Sequence, residues 1–381
     1  VLGIYNREIS RKLPPDALTV ADNVDIDEAG SAVRREGYSK VFSLSQTTSA
    51  FITHDERRLF LVAAGRLYLV VADLLPVELA QGLSSKPIQW VEMADYVLLS
   101  TGEMISLDNK VSTWVIPSPP PVDLRQVSGQ LEGGQYQVVC TYIDPTGREG
   151  AASEVSVIEV TRPKAGIEVS VPSLEGFETK VYVTDTNGSE HYFYAQMQNG
   201  SIVVNSMEEG AIPIDPAQLT CSSIPFAVDS LGVFEGSLVA SHFSEGVSTV
   251  LFSKPFWWNL FDLESDFISV PGKVKKLYGT PQGLLIATDD EIYAYTAEEV
   301  LVRLAEYGAP SGEPFTRLDS GQVYFWTNQG LCSVFPFKNH TESKLSVPPG
   351  AVCSAALVEQ HGQRKIISLT DGRGHADNKL F

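Results

Sequence analysis

Short apolar strands recur along this chain at a nearly constant spacing. The clearest hairpins read RLFLVAAGRLYLVV, YVLLSTGEMISLD, SLVASHFSEGVSTVLFS, GLLIATDDEIYAYT, QVYFWTNQGLCSVF and RKIISLTDG. Each is an apolar run, a tight polar or glycine turn and usually a second apolar run. Their first apolar strand positions are Leu59, Val97, Leu238, Leu284, Val323 and Ile366, so the gaps are 38, 141, 46, 39 and 43 residues. Four of these fall near the period of about 40–50 residues that marks a four-stranded propeller blade.

That period has a physical basis. A lone four-stranded sheet with two apolar faces cannot cover both, whereas a ring of such sheets stacks face on face and leaves only short outer edges. LLIAT and VYFWT are apolar without alternation, as expected of inner strands covered on both sides. The expectation is an all-β chain, a β-propeller of about six blades. Two β-sandwiches in series are the competing architecture, but they would not demand a constant period.

The gap of 141 residues equals one blade plus about a hundred residues, the size of an inserted domain. The insertion opens at the proline-rich PSPPPVDL (117–124) and closes at IPIDPAQLT (212–220). Between them, strands recur every eight to twelve residues around a DPTG and a TNGS turn, the pattern of a fibronectin-III-like β-sandwich. The expected divisions are an N-terminal arm over 1–16, propeller over 17–117, the inserted sandwich over 118–217, and propeller again over 218–381. One short helix is expected at TAEEVLVRLAEYG (296–308), where Val300, Leu301 and Leu304 are helically spaced behind a capping Thr296.

Residues 25–36, DIDEAGSAVRRE, carry part of a calcium-loop pattern. Ala29 and Val33 stand where an EF-hand needs ligands, and no helices flank the stretch. The alternation on either side of the glycine argues instead for a β-hairpin. Asp289-Asp290-Glu291 falls at the turn of another hairpin and reads as its solvated tip. No nucleophile elbow, zinc-binding H-E-x-x-H, phosphate loop or dinucleotide fingerprint occurs, so the chain is expected to be no enzyme and to need no cofactor or metal.

The formal charge of −19 on 381 residues argues against sequence-independent adhesion to nucleic acid, which requires Lys and Arg to displace counterions. Arg34-Arg35 and Lys273, Lys275 and Lys276 are too few to make a footprint. No apolar run approaches the length of a membrane span, so no membrane insertion is expected. The first sixteen residues hold no apolar core followed by a small-residue cleavage site, so no export signal is expected there. Cys140, Cys221, Cys332 and Cys353 are scattered through strand-like runs and read as buried thiols. Asn187, Asn199 and Asn339 begin glycosylation sequons, but Asn-Gly at the first two is a sufficient turn signal. Phe256, Trp257, Trp258 and Phe261 form the densest aromatic group. They are candidate interface residues for a neighbouring subunit, with burial between blades the plainer reading and sugar stacking a third.

ADNVDIDEAGSAVRREGYSKVF (21–42) resembles the N-terminal signature of the nozzle, or distal tail-hub, proteins of short-tailed bacteriophages. STVLFSKPFWWNLFDLESDFISVPGKVKKLYGTPQGLLIATDDEIYAY (248–295) is similar to a second stretch of that family, with Phe256-Trp257-Trp258 where Gly-Asp-Pro is more usual. TYIDPTGREGAASE and VYVTDTNG resemble modules inserted in such proteins. The resemblance implies a structural virion protein of the tail, assembled in the host cytoplasm. It implies a closed ring, a hexamer in that family, that continues the DNA channel and touches adaptor, fibre or spike proteins, with phage DNA passing unbound. The alternative function is a carbohydrate-binding or polysaccharide-acting propeller.

Overall fold

Five of the six landmark residues fall in the second strand of a four-stranded antiparallel sheet, and these sheets follow one another along the chain. The structure is a computed structural model describing residues 12–19, 24–26, 31–34, 40–71, 75–162, 164–198, 200–207, 210–313, 315–317, 322–341, 350–360 and 363–370. A hairpin of β1 (Val24–Ile26) and β2 (Ala32–Arg34) comes first, with Asp25 opposite Val33. This is the hairpin expected of the calcium-like stretch. Its tip, including Asp27, Glu28 and Ala29, lies outside the described residues, as do Arg35 and residues 1–11 of the arm.

The first sheet comprises β3 (Thr47–Ile52), β4 (Leu59–Ala63), β5 (Arg66–Val70) and β6 (Pro76–Gln81). The second comprises β7 (Trp90–Met93), β8 (Tyr96–Leu99), β9 (Glu103–Ile105) and β10 (Val111–Thr113). The insertion follows as β11 (Asp123–Leu131), β12 (Gly134–Ile143), β13 (Glu149–Ala152), β14 (Ser156–Val160), β15 (Ala165–Ser170), β16 (Glu178–Thr184), β17 (His191–Met197), β18 (Ser201–Val204) and the helix α1 (Pro216–Thr220). The third sheet is β19 (Ser230–Phe234), β20 (Ser237–Ser244), β21 (Val247–Lys254) and β22 (Trp257–Phe261), with β23 (Phe267–Pro271) pairing the other end of β21. The fourth is β24 (Val274–Thr280), β25 (Gly283–Thr288), β26 (Ile292–Thr296) and β27 (Leu301–Ala305). After β28 (Ser311–Glu313), the fifth is β29 (Phe315–Arg317), β30 (Val323–Thr327), β31 (Gly330–Val334) and β32 (Lys338–Asn339). The last described strands, β33 (Val352–Gln360) and β34 (Gln363–Thr370), make a sixth sheet that β28 joins in parallel.

Successive sheets share cores, as a propeller requires. Phe60 and Val62 pack with Trp90 and Val97, and Met104 and Trp114 with Leu231 and Leu251. Val239 and Val250 pack with Leu277 and Ile286, and Leu285 and Ala287 with Phe315 and Phe325. The Trp326 indole donates to Ser368, tying the fifth sheet to the sixth. Lys365 Nζ on β34 lies 2.9 Å from Asp25 Oδ2, so the hairpin of β1 and β2 meets the sixth sheet. The chain is therefore a β-propeller, with six blade sheets among the described residues. Its inner strands approach closely where glycine removes a side chain: a Cβ on Gly279 would sit 1.8 Å from the Val233 carbonyl oxygen.

The insertion is a fibronectin-III-like sandwich. A sheet ordered β11-β15-β18 faces one ordered β13-β12-β16-β17, with β14 continuing along β12. Tyr136, Val138, Cys140, Ile167, Val169, Val181 and Val183 fill the space between them.

Two expectations are corrected. Residues 296–308 hold no helix: Thr296 accepts no cap role, Glu299 has φ +61°, and Leu301–Ala305 is the outer strand β27. The open edge of β26 offers a ladder of backbone partners, and that tertiary context overrides a weak helical spacing. The insertion also runs past residue 217. Ile212 and Ile214 bond to the edge of β17, and α1 continues to Thr220 before Ser222 pairs with Phe261.

Candidate interaction site

The four aromatic candidates lie where the sandwich meets the propeller, but they point in different directions. Phe261 is fully buried, in the core shared by the second and third sheets. Its expected interface role is corrected, because its ring faces the preceding blade. Trp258 packs against that core and meets Tyr96 edge-on, with ring centroids 5.3 Å apart. Trp257 packs instead on Ala151, Cys221 and Ala217, which belong to the insertion and its return. Phe256 alone of the four projects, at 85% exposure.

The joint depends on the hairpin written DPTGREG. Asp144 receives its own turn's N–H groups from Thr146 and Arg148, both at 2.9 Å, and the Arg148 guanidinium at 2.6 Å. Burial works against the Asp144 carboxylate. The Thr146 hydroxyl and the charge and N–H groups of Arg148 outweigh that penalty and hold its carboxyl below the usual value. The same guanidinium donates to the Thr113 carbonyl at 2.7 Å and lies 5.7 Å from the Trp258 ring centre. Asn259 Nδ2 donates to the Glu149 carbonyl at 3.0 Å, and Gln218 Nε2 to the Gly150 carbonyl at 3.2 Å. Gly150 must be small here, since a Cβ would come within 2.6 Å of Ile116.

Glu149 anchors the neighbouring part of the sandwich. It accepts from Lys180 Nζ at 2.8 Å and from the Tyr182 hydroxyl at 2.7 Å. Burial raises its pKa, but Lys180, Thr141 and Tyr182 together hold it below the usual value. Every strong partner is internal, so this is a structural cluster. The DPTG stretch is legible as a turn, but its docking role is not, because Trp258 lies more than a hundred residues away.

At the propeller's centre, Lys276 Nζ on β24 reaches Gln89 Oε1 at 3.1 Å and the Glu313 carboxylate at 2.6 Å. Gln89 leads into β7 of the second sheet and Lys276 belongs to the fourth. These sheets are not neighbours, so the contact crosses the middle of the ring. Lys275 and Lys273 take no part, and Lys273 pairs with Asp229 at 2.7 Å. Arg34 stands apart on β2.

The other candidates find ordinary places. Asp289 accepts from the Lys273 backbone N–H at 2.8 Å, and Glu291 pairs with Arg303 at 2.8 Å. Among the described residues, no group of three His, Cys, Asp or Glu side chains could hold a metal. All four cysteines are buried, and burial pushes the Cys140 thiol up to about 12. Asn187 sits at a left-handed turn position with φ +59°, Asn339 bonds to Thr341, and Asn199 lies outside the described residues. No described helix is long and apolar enough to cross a membrane.

No family model matches the sequence, and no curated protein matches it. Among solved structures, virginiamycin B lyase from Staphylococcus aureus matches at 7% identity and TM-score 0.34, over 85% of this chain and 91% of that one. Kluyveromyces lactis Hsv2 matches at 11% identity and TM-score 0.32, over 85% and 90%. AztD from Citrobacter koseri matches at 12% identity and TM-score 0.29, over 92% and 97%. Matches at this level carry nothing about activity, ligand or partner.

Proposed function

We propose that this chain is a structural subunit of a bacteriophage tail, one wedge of a closed nozzle or hub ring of six copies. The observation that carries the reading is the fixed joint at Arg148, Trp258 and Asn259. It makes the inserted sandwich a rigid arm on the propeller, suited to meeting a neighbouring copy, the adaptor, or a fibre or spike in a constant orientation. Rings arise from such head-to-tail contacts when the rotation closes. The sequence resemblance supplies the tail assignment, the virion location and assembly in the host cytoplasm.

In this reading the DNA channel runs between copies, since Lys276, Gln89 and Glu313 bridge the middle of each propeller. The excess of carboxylates over cations suits a wall that DNA passes without adsorbing. The chain acts without catalysis or cofactor, its carboxylate clusters being tied to internal partners. Negative-stain microscopy of the purified chain tests the proposal: rings support it, and monomers at every concentration, alone and with tail proteins, overturn it.

A second reading rests on a groove of about 780 Å³ beside the DPTG turn of the sandwich, lined by Phe177, Glu178, Gln196 and Gln198 among others. Planar amides and carboxylates beside an aromatic ring suit a sugar. Oligosaccharide binding lost in Gln196→Ala would favour a carbohydrate-binding protein instead.

A further inference from the structure

In each four-stranded sheet the first and third turns lie at one end of the strands, and the second turn lies at the other. Four consecutive sheets carry an outward apolar side chain at the third turn: Val71, Leu107, Phe256 and Val300. The last three of these are at least half exposed. No large exposed apolar residue occupies the second turn of any of the first five sheets, where Ala64-Gly65, Thr101-Gly102, Glu245-Gly246, Asp289-Asp290 and Asn328-Gln329 stand. One face of the propeller thus bears an arc of apolar knobs, and the opposite face bears none at the corresponding turns.

Phe256 adds a second, independent observation. Its φ of +64° is a left-handed conformation that a bulky side chain adopts only at a cost of about 1–3 kcal/mol. Its backbone N–H bonds the Gly236 carbonyl, which fixes the turn, yet the ring itself is 85% exposed. Burial within the chain does not offset the strain.

The polar residues among the knobs are mainly acidic. Asp95, Glu235, Glu298 and Glu299 are exposed in the first and third turns. The described cations of those turns are Arg57, Arg58 and Lys110; Arg58 is half-buried and donates to the Ser106 carbonyl at 3.2 Å, and Lys110 is paired with Asp108 at 2.7 Å. Two copies facing each other here would bring like charges together, which disfavours self-docking.

We infer that this face is the docking surface for a different protein, one that presents apolar sockets edged by Lys and Arg. Phe256 and Leu107 are the central anchors, since exposed apolar groups rimmed by charge mark interaction sites. The inference does not rest on the tail reading and stands whether or not the chain forms a ring.

A displayed library of twelve-residue peptides, selected on the full chain, tests it. Selected peptides should combine Lys or Arg with Leu or aromatic residues. Their affinity should fall at least tenfold on Leu107→Ser/Phe256→Ser and on Phe256→Ser alone, and several-fold on raising salt from 50 to 500 mM. Thr101→Ala, on the opposite turns, should leave binding unchanged. Peptides insensitive to both knob variants, acidic peptides, or no selected peptides would overturn the inference. So would a concentration-dependent dimer of the chain that Phe256→Ser abolishes, which would make the occupant a second copy.

Discussion

Arg148 and Trp258 face each other across the joint between sandwich and propeller, the guanidinium carbon 5.7 Å from the ring centre. One residue comes from the insertion and the other from the third sheet, so their contact couples the two parts, alongside the Asn259 bond to the Glu149 carbonyl. The Asp144 side chain behind it is only 3% exposed.

Arg148→Ala should cost about 3 kcal/mol, because it leaves a buried carboxylate without its cation. Thermal unfolding measures this, and proteolysis within residues 205–229 should accelerate. The sign with pH follows from Asp144. Its folded pKa lies below the usual 3.8, so its contribution is present above that value and is lost as pH falls through the folded one. The variant should therefore lose less stability on acidification than the parent chain does. Equal losses in both would contradict the pairing.

Gly279→Ala should destabilise by about 3 kcal/mol or more, since the added methyl meets the Val233 backbone rather than a side chain that can move. Gly200→Ala, where a Cβ meets nothing within 4 Å, provides the contrast. Its φ of +92° still disfavours Ala, by about 1 kcal/mol. Comparable melting temperatures for the two variants would show that the inner strands are not so tightly apposed.

The four aromatics should separate in a stability scan. Phe261→Ala removes a fully buried ring and should cost about 3–5 kcal/mol. Phe256→Gly relieves a left-handed bulky residue and should stabilise by up to about 1 kcal/mol. If Phe256→Gly is as damaging as Phe261→Ala, the projecting position of Phe256 is wrong.

The repeat was readable because blade stacking demands apolar strands at fixed spacing, and Leu59, Val97, Leu238, Leu284 and Val323 each open or enter the second strand of a sheet. The insertion was readable for the same reason, as a break in the period. What the sequence does not show depends on distance in space. Lys276 reads locally as part of a basic run, and only the closure of the ring brings it to Gln89, far away in sequence. Val300, Leu301 and Leu304 fit a helix face locally, and the neighbouring edge of β26 decides against it. The one-sided arc of Leu107, Phe256 and Val300 needs the turn order of the sheets before it can be seen at all.

His191 supplies a prediction in the range near neutrality. Its ring is buried at the start of β17, and neither ring nitrogen has a hydrogen-bond partner among the described residues. Burial pushes its pKa below the usual 6.5, so the folded chain keeps it neutral. Below about pH 6.5 the unfolded chain binds a proton that the folded chain does not, and stability must fall with pH until the folded value is reached. His191→Leu keeps an apolar side chain and the backbone carbonyl that accepts from Ile214, while removing the titrating ring. Melting temperatures at pH 7.5 and 5.5 should drop less for the variant than for the parent chain. An equal drop would mean that His191 is protonated in the folded state as readily as in the unfolded one, which a buried ring without acceptors does not allow.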